Sequence, residues 1–409
     1  MQEFPVEQLR ALFPALQDRF IFFDNAAGAQ SPATVLDAVA YHLRYRNVQR
    51  GGRYRQSQEV DEAIAGARSS VALLVNARHP EEICFGMNAT SFMRLISLAV
   101  GQSLRDRREI IVTDLDHEAN IAVWLALKRE GAKIIWWHCG EDGRLHPEDL
   151  KKLLSERTRI VACTLASNAI GSILDVVTVS QLAHAAGAEV FIDAVHYGPH
   201  GPIDVQAFGC DYLICSGYKI FSPHMGFLWG RREVLDALPT FREEFVPDTT
   251  PAKLEIGTYI YENVAGMDAA VRYLENLGRL IKSDLTSRRA AIVASTEAIR
   301  DYESQLSCAM LDELAKVHAT VYGITSKDHI SHRTPTLCFN LPGISPAKVT
   351  EALAARNIGV RDGHMYSPRL MKRLGLTQES GAVRASLVHY NTLDEVRSFG
   401  SALAEITHH

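Results

Sequence analysis

Between about residues 80 and 230, short apolar segments alternate with stretches that have helical periodicity. Each apolar run is about four to eight residues long, rich in Ile, Val, Phe and Trp, and nearly continuous rather than alternating with polar positions. Such strands, separated by helices, are typical of a mostly parallel sheet that is buried on both faces. The pattern predicts a doubly wound α/β core. The segments are EEICFGM, REIIVTDLDH, KIIWWHC, RIVACTLAS, EVFIDAVH, DYLICSGYK and GFLWGR.

The pattern changes after about Ala265, where a helix-rich connector leads to PTLCFNLPG, IGVRDG and VRASLVHYNT. Strands and helices of this kind predict a smaller C-terminal α+β domain. We predict an N-terminal segment at 1–19 that packs with the small domain, a large domain at 20–265 and the small domain at 266–409. No repeat or flexible linker separates the two domains, so we expect them to pack as one unit.

Composition and charge exclude several classes of protein. The chain has 409 residues, 47% of them hydrophobic, and a net charge of −5, which offers no basic field for nucleic acid or an anionic membrane. Its apolar runs are far shorter than the roughly 20 residues of a membrane span. The start, MQEFPVEQLRALFPAL, has acids and prolines where a signal peptide would have a basic end. The seven scattered cysteines indicate reduced, buried thiols. We expect a cytoplasmic enzyme.

Two charged residues follow apolar strands of the core. Asp193 ends the segment VFID, where a buried carboxylate is costly unless a cation or a strong donor, such as a protonated pyridine nitrogen, meets it. A lone Asp is equally suited to capping the next turn. Lys219, in LICSGYKIFSPHMG, is placed where an amine can be desolvated enough to form a Schiff base. A surface lysine is the more common case, but two flanking apolar strands favour burial here.

Small and hydroxyl residues lie between a strand and a helix in GMNATSFMRLISLAV. Such a turn presents free N–H groups and hydroxyls to a phosphate, although Thr and Ser are also common helix caps. The residues concerned are Ala89, Thr90 and Ser91, and the further candidates for phosphate contacts are Ser216, Tyr218 and Thr258.

A histidine and two arginines complete the candidates. His117, in TDLDHEANIAVW, offers a flat ring to an aromatic cofactor, though a structural histidine is the alternative. Arg361 and Arg384 suit a bidentate clamp on a substrate carboxylate, or else salt bridges. A metal site is not predicted, because HYGPH lacks the Glu of a zincin motif and its Gly-Pro would break the helix. The residues whose types could bind a metal are Asp114, Asp116, His117, Glu118, His196 and His200.

Together these residues describe a pyridoxal 5'-phosphate (PLP) site, and their motifs resemble a known family. The chain is similar to the class V aminotransferases of PLP fold type I, specifically the group II (selenocysteine lyase-like) cysteine desulfurases. The resemblance runs from FIFFDNAAGAQSP to VHYNTLDEV through NATS, DLDHEANIAVW, ASNAIGS, DAVH, SGYK, EIGT, VRDGH and RASLVHYNT. It implies a large domain with a mostly parallel seven-stranded sheet between helices, a smaller C-terminal α+β domain, and a homodimer whose sites are shared across the interface.

The resemblance also implies a role for each matching residue. Lys219 would carry the cofactor, Asp193 would meet the pyridinium and His117 would stack on its ring. Thr258 would reach the phosphate of the neighbouring subunit. The other implied cofactor contacts are Ala89, Thr90, Ser91, Ser216 and Tyr218 at the phosphate, and Asn168 and His196 near the pyridoxal hydroxyl. The implied substrate contacts are Arg384, Arg361, Asn25 and Ala27.

The departures from the family bear on the reaction. Family desulfurases carry a persulfide-forming cysteine two residues after the histidine of a Gly-His loop, and Tyr366 stands at that place here. A phenol cannot accept sulfane sulfur, so we do not expect turnover through an enzyme persulfide. The chain is similar to the members with a Gly-His-x-Tyr loop, whose chemistry varies. In addition, His196 replaces a usual glutamine, and Tyr218 replaces a histidine.

We therefore predict a PLP-dependent lyase that cleaves the C–S bond of a cysteine derivative by β-elimination. Lys219 would act as the base, and Tyr366 or His364 would protonate or position the leaving group. Tyr366 is equally suited to shaping the pocket wall. Decarboxylation, aldol chemistry, epimerisation or transamination of another amino acid is the alternative within the fold. A non-catalytic PLP-binding protein is the alternative of another class, and the retention of Lys219, Asp193 and Arg384 argues against it.

Overall fold

A large and a smaller sheet organise the computed structural model, which describes residues 4–377 and 379–408. The strands are β1 (Ile21–Phe22), β2 (Ile83–Gly86), β3 (Glu109–Thr113), β4 (Lys133–Trp137), β5 (Thr158–Thr164), β6 (Glu189–Asp193), β7 (Tyr212–Ser216), β8 (Gly226–Gly230), β9 (Thr320–Tyr322), β10 (Thr336–Asn340), β11 (Ile358–Gly359), β12 (Arg361–Gly363) and β13 (Ala382–Ser386). The helices are α1 (Val6–Arg10), α2 (Ala33–Tyr45), α3 (Arg55–Val75), α4 (Ala89–Gln102), α5 (Ala119–Ala126), α6 (Pro147–Leu153), α7 (Val176–Ala185), α8 (Val205–Phe208), α9 (Arg232–Ala237), α10 (Tyr261–Ile281), α11 (Arg288–Lys316), α12 (Pro346–Ala354), α13 (Pro368–Arg373) and α14 (Leu393–His408).

The large sheet has seven strands within the described ranges, in the order β2-β8-β7-β6-β5-β3-β4. The neighbours from β7 to β4 are parallel, whereas β8 runs antiparallel to both β2 and β7. Every residue of β3, β7 and β8 is buried, because the sheet is covered on both faces. The predicted mostly parallel seven-stranded sheet is therefore confirmed.

Alternate residues of the central strands enter two different apolar cores. Ile111 and Val161 belong to the core on one face, and Ile110 and Ile160 belong to the core on the other. All four are fully buried, and each such side chain contributes about 1.5–3 kcal/mol to folding. This explains why the segments are apolar without alternation. The parallel strands consequently end at one edge of the sheet, where they deliver their last polar residues.

The smaller C-terminal domain contains an antiparallel sheet in the order β12-β13-β10-β9. Phe339 and Val383 of this sheet share a core with Leu306 of α11, Leu353 of α12 and Leu403 of α14. The predicted second, smaller domain of mixed helices and strands is confirmed.

The N-terminal part of the chain lies against elements from the other end of the sequence. Phe4 stacks on Tyr302 with ring centroids 4.5 Å apart, and Arg10 pairs with Glu395 at 2.9 Å. Strand β1 pairs in parallel with β11, although the predicted boundaries assign residue 21 to the large domain and residue 358 to the small one. Residues 1–3 of the predicted N-terminal segment lie outside the described residues.

The cysteines are all free, and six of the seven are buried. Burial raises the pKa of the Cys139, Cys215 and Cys338 thiols to about 12. Over residues 4–377 and 379–408, no three His, Cys, Asp or Glu side chains gather in a way that would hold a metal ion. None of the helices in these same ranges combines the length and the apolar character needed to cross a membrane.

Asn25 joins the two ends of the chain through a buried network of hydrogen bonds. Its Nδ2 donates to Phe22 O at 2.7 Å and to Ser386 O at 2.9 Å, and it contacts Asn391 Oδ1 at 3.1 Å. The hydroxyl of Tyr390 donates to Asn25 Oδ1. Because the side chain is only 3% exposed, water cannot replace these partners.

We expect Asn25→Ala to lower the free energy of unfolding by about 1–3 kcal/mol, because it leaves buried polar groups without partners. Urea unfolding followed by circular dichroism measures the change. Asn263→Ala, which removes a single exposed hydrogen bond to His224 O, is the matched control and should cost less. Equal losses in the two variants would contradict the structural role of Asn25.

Candidate active site

One cavity of about 430 Å³ lies at the carboxyl edge of the large sheet. Thr164 of β5, Asp193 of β6 and Ser216 of β7, each the last residue of its strand, line it. The residues predicted from the sequence that line the cavity are Ala89, Thr90, His117, Asn168, Asp193, His196, Ser216, Tyr218 and Lys219. Sequence reasoning did not single out Met93, Ala119, Thr164, Ala166 and Val195, which complete its wall.

A carboxylate and an amine are buried together in this cavity. Asp193 is 5% exposed and Lys219, in the turn after β7, is 6% exposed. Asp193 Oδ1 accepts a hydrogen bond from the Val195 N–H at 2.9 Å. Neither Asp193 Oδ2 nor Lys219 Nζ has a hydrogen-bond partner in the described part of the chain. Two strongly polar atoms are thus available to a ligand.

Burial sets the protonation of the charged groups around the cavity. Burial, followed by the positive charge of Arg384, lowers the pKa of Lys219 to about 8. Burial raises the pKa of Asp193 to about 6. Burial, and then the charge of Lys219, lowers the pKa of His117 to about 4. At pH 7 the cavity therefore holds an ionised Asp193 and a neutral His117.

The first turn of α4 forms one wall of the cavity. Asn88 caps this helix, because its Oδ1 accepts the Ser91 N–H at 2.9 Å. A Cβ on Gly226 would lie 2.4 Å from the backbone carbon of Asn88, so only glycine lets β8 approach the start of the helix. Ala89 and Thr90 line the cavity, whereas the hydroxyl of Ser91 bonds to Asn88. This end of α4 suits an anion.

His117 lies between the cavity and the loop that carries Tyr366. The Ala119 N–H donates to His117 Nδ1 at 3.0 Å, so the hydrogen of the neutral ring is on Nε2. The rings of His117 and Tyr366 are stacked, with centroids 5.5 Å apart and planes 29° apart. The Glu118 N–H donates to Tyr366 O at 2.8 Å and holds the loop against this helix start.

The loop that contains Tyr366 is strained and is held by hydrogen bonds. Met365 and Tyr366 have φ of 51° and 58°, which costs about 1–2 kcal/mol for each residue other than glycine. Asn168 Nδ2 donates to Met365 O at 2.7 Å, and Ser367 Oγ donates to Asn168 Oδ1 at 3.1 Å. The amide of Asn168 thus fixes the loop, and its expected place near the pyridoxal hydroxyl stays a prediction.

His196 presents a buried nitrogen that has no partner in the part of the chain that the structure describes. Its Nε2 lies 3.0 Å from Thr336 Oγ1 and 3.2 Å from Thr334 Oγ1, and its Nδ1 is unpaired. Thr336 is fully buried, and His196 is the one acceptor its hydroxyl reaches among the described residues, so Nε2 accepts and Nδ1 carries the hydrogen. Because burial also lowers the pKa of His196, this residue is a neutral N–H donor at the cavity wall.

Asp24, which sequence reasoning missed, bridges the two predicted substrate-binding arginines. Arg384 Nη2 lies 2.9 Å from Asp24 Oδ1, and Arg361 Nη2 lies 2.8 Å from Asp24 Oδ2. Arg384 is 1% exposed, its Nη1 donates to Asn168 O at 2.9 Å, and its Nε has no partner among the described residues. Two cations with one carboxylate leave a net positive charge.

The remaining predicted residues lie away from the cavity. Asn25 and Ala27 line a different cavity of about 620 Å³, together with Phe22 and Asp24. Thr258 is exposed, and its hydroxyl accepts a hydrogen bond from Gln49 Nε2 at 2.7 Å. Its expected reach into a neighbouring subunit stays a prediction. His364 is exposed on the Tyr366 loop, where its Nδ1 accepts the Tyr366 N–H at 3.0 Å.

Asp116 is a second buried carboxylate near the cavity. It accepts hydrogen bonds from Thr113 Oγ1 and, at 2.7 Å, from Asn120 Nδ2. Burial raises the pKa of Asp116 to about 8, so this group is mainly neutral at pH 7 and Asp193 carries the local negative charge. The sequence signal for Asp116 is its place in DLDH directly after a strand, where its residue type suggests only a metal ligand.

Comparison with known proteins gives a consistent result. The aminotransferase class-V family model matches residues 21–399. The aminotransferase-like protein FGM3 of Gibberella zeae is 35% identical over 96% of this chain and 96% of its own length. The probable cysteine desulfurase of a Synechocystis species is 31% identical over 97% of this chain and 94% of its own length. The solved structure of apo cysteine desulfurase from Thermococcus onnurineus has a TM-score of 0.89 and 26% identity, and the match covers 100% of this chain and 99% of that one. The cysteine desulfurase CsdA of Escherichia coli has a TM-score of 0.84 and 28% identity, with 99% of this chain and 98% of that one covered.

Class V aminotransferases and cysteine desulfurases use pyridoxal 5'-phosphate, and the cavity fits this cofactor. The unpartnered Lys219 amine suits its aldehyde, and the free oxygen of Asp193 suits its pyridine nitrogen. The start of α4 and the Ser216 hydroxyl suit its phosphate. The unpaired Nδ1–H of His196 suits its phenolic oxygen. The groups that the structure leaves without partners are thus those that PLP would bind.

We expect covalent attachment of PLP to the apoprotein to accelerate as the pH rises through about 8 and to level off above it. The neutral amine is the reactive form, and at pH 7 it is about 10% of Lys219 at this pKa, against about 0.03% at the ordinary value. Borohydride trapping followed by peptide mass analysis measures the rate at this residue.

A blocked lysine amide, treated with PLP in the same buffers, corrects for the titration of the cofactor itself. Lys219→Ala should show no labelled peptide. A midpoint near pH 10 would show that the burial of Lys219 does not lower its pKa.

Proposed function

The chain belongs to the class-V aminotransferase family, and we propose that it is a PLP-dependent lyase that cleaves the C–S bond of a cysteine derivative by β-elimination. The observation that carries this proposal is the absence of a sulfur acceptor at the cavity. None of the seven cysteines lines it, and Tyr366 occupies the loop position that would hold a thiol in a desulfurase. The sulfur must then leave with its own substituent.

The substrate is proposed to bind through its carboxylate beside Arg384. Arg361 and Arg384 share the single carboxylate of Asp24, so the cluster attracts one further anion. The unpaired Nε of Arg384 is a donor ready for that anion. Asp24 holds the buried guanidinium in place, because an arginine at 1% exposure needs a fixed counter-charge.

Proton transfer at Cα is assigned to Lys219. Bound PLP supplies an electron sink for the pair released when the Cα proton leaves. Asp193, which is ionised at pH 7, would hold a proton on the pyridine nitrogen of the bound cofactor. The lowered pKa of Lys219 gives this amine a neutral form that can take the proton as a general base. The C–S bond then breaks, and the departing sulfur takes up one proton. The enamine that is released reacts with water to give pyruvate and ammonia.

The proton for the departing sulfur is proposed to come from the Tyr366 loop. Tyr366 stacks on His117, its ring is 51% exposed, and its hydroxyl has no partner in the described part of the chain. His364 Nδ1 accepts the Tyr366 N–H, which leaves the hydrogen of the neutral ring on Nε2. His117 is not suited to this step, since its low pKa keeps it neutral and its Nδ1 is bound to Ala119.

The complete site is proposed to form in a homodimer. Thr258 is exposed beside Ile256, which is 67% exposed, and Phe241 and Phe245 are 90% and 86% exposed nearby in the sequence. Large apolar side chains that are this exposed favour a site of protein association. A second copy of the chain would cover it and bring Thr258 to the neighbouring phosphate site.

The first test is a product assay of the purified holoenzyme with cysteine, cystine, cysteine S-conjugates, alanine and aspartate. We expect S-conjugates to give pyruvate, ammonia and the free thiol in equal amounts, since the C–S bond breaks without an enzyme persulfide. Alanine as the product from cysteine would indicate a desulfurase instead. Turnover of aspartate or alanine without pyruvate would move the assignment to decarboxylation, epimerisation or transamination.

A second test separates the hydroxyl of Tyr366 from its ring. We expect Tyr366→Phe to lower kcat with S-alkyl cysteines about 100-fold, the usual contribution of a general acid, and to affect S-aryl cysteines much less. Aryl thiolates leave without help from an acid, so the dependence on the leaving group identifies the role. Steady-state kinetics with both substrate series measures it.

Tyr54→Phe is the matched control, since this tyrosine is also 51% exposed, and it should leave kcat unchanged. Tyr366→Leu removes both the hydroxyl and the stacked ring, and it should additionally weaken PLP retention through His117. An equal loss with S-alkyl and S-aryl substrates in Tyr366→Phe would assign the tyrosine to the pocket wall.

A further inference from the structure

A second cavity of about 740 Å³ lies at the outer end of the same sheet edge. It is formed where β3 and β4 end, and α13 of the small domain covers it, directly after the Tyr366 loop. The carboxyl edge of an open α/β sheet is the usual place for ligands. The lining residues are Asp114, Trp136, His138, Arg369, Lys372 and Arg373.

Asp114 holds two nitrogen groups of this cavity in fixed positions. It is 5% exposed, and its Oδ1 accepts the Cys139 N–H at 2.7 Å. Its Oδ2 lies 2.7 Å from His138 Nδ1 and 3.0 Å from Arg373 Nε. Both oxygens of the carboxylate thus have partners, whereas the two Nη groups of Arg373 have none within the described residues. They are oriented donors without an acceptor.

The indole of Trp136 supplies a flat apolar wall beside these donors. The Arg369 guanidinium lies 5.1 Å from the indole ring centre and is held by Glu118, with Nε and Nη2 each 3.1 Å from its carboxylate oxygens. The His138 ring is nearly parallel to the indole at 7°, with centroids 6.1 Å apart. Lys372 is exposed and has no ion-pair partner over residues 4–377 and 379–408.

We propose that this cavity binds a small anion in which a carboxylate or phosphate is joined to a flat aromatic group. Three cationic side chains line it, and Asp114 and Glu118 balance two of them, so an oxyanion finds one excess positive charge and the free donors of Arg373 and Lys372. The guanidinium of Arg373 offers two parallel N–H groups, which match either oxyanion. Trp136 and His138, which line the cavity beside these donors, offer aromatic contacts to the ring of such a ligand. This site is separate from the PLP cavity, and its occupation does not depend on the reaction proposed above.

The test is isothermal titration calorimetry of the holoenzyme, in which PLP already fills its own phosphate site. The probes are phenyl phosphate, benzoate, inorganic phosphate and benzylammonium at constant ionic strength. We expect saturable binding of phenyl phosphate or benzoate, weaker binding of inorganic phosphate, and none of benzylammonium. The stronger of the two aromatic anions identifies whether the natural head group is a phosphate or a carboxylate.

Two double variants with the same change in charge locate the site. Lys372→Gln with Arg373→Gln should weaken binding at least about tenfold, since it removes the free donors. Lys151→Gln with Lys152→Gln, an exposed pair on α6, should change it less than about twofold. Lys372→Gln alone leaves every described ion pair intact, and it should weaken binding about threefold even if the double variant fails to fold.

Three results would overturn the proposal: no saturable binding of either aromatic anion, equal binding by the two double variants, or binding of benzylammonium as tight as that of the anions. Inhibition kinetics then identify the source of the anion. Competition with the amino-acid substrate would assign it to a distal group of the substrate, and non-competitive behaviour would assign it to a separate ligand. Because calorimetry measures binding without turnover, its result tests this anion site independently of the lyase assignment.

Discussion

The site depends on the placement of an unpartnered amine and an ionised carboxylate inside a sheet that excludes water. Asp193 and Lys219 follow the neighbouring strands β6 and β7, so the apolar cores on both faces fix their separation. The same burial lowers the pKa of the amine and raises that of the carboxylate. A cofactor that supplies an aldehyde and a basic nitrogen would relieve the cost of burying both groups. Burying these two groups without a ligand raises the free energy of the folded protein, and cofactor binding would lower it again.

The surroundings of this pair tend to limit the number of buried charges. Asp116 is mainly neutral at pH 7, and His117 and His196 are neutral because burial lowers their pKa values. Arg384 keeps its charge beside Asp24, which it shares with Arg361. At pH 7 the ionised Asp193 is therefore the negative group available to the cofactor. The cluster of Arg361, Arg384 and Asp24 has a net positive charge and is available to the substrate.

Much of this could be predicted from the sequence, because the signals are local. Apolar segments identified the strands, and polar residues at their ends, such as Asp193 and Lys219, identified the cavity. Asp24 was not identified, since its partners lie 337 and 360 residues away and are brought to it by the pairing of β1 with β11 and the bridge from Asp24 to Ser386. The hydrogen bonds by which the Asn168 amide holds the strained loop at Met365 and Ser367 were likewise not predicted. Hydrogen bonds between segments that are far apart in the sequence produce no periodic pattern of apolar and polar residues, so the sequence does not predict them.

The pairing of residues 21–24 with the small domain also has a consequence for the order of synthesis. Strand β1 is made early, whereas β11 and Ser386 leave the ribosome more than 330 residues later. At about 5–20 residues per second, that interval is about 20–70 s. Through this time Phe22, Phe23 and Asn25 lack the hydrogen-bond partners that β11, Ser386 and Asn391 supply. The N-terminal strand is thus an early-made segment whose pairing must wait until β11 and β13 have been made.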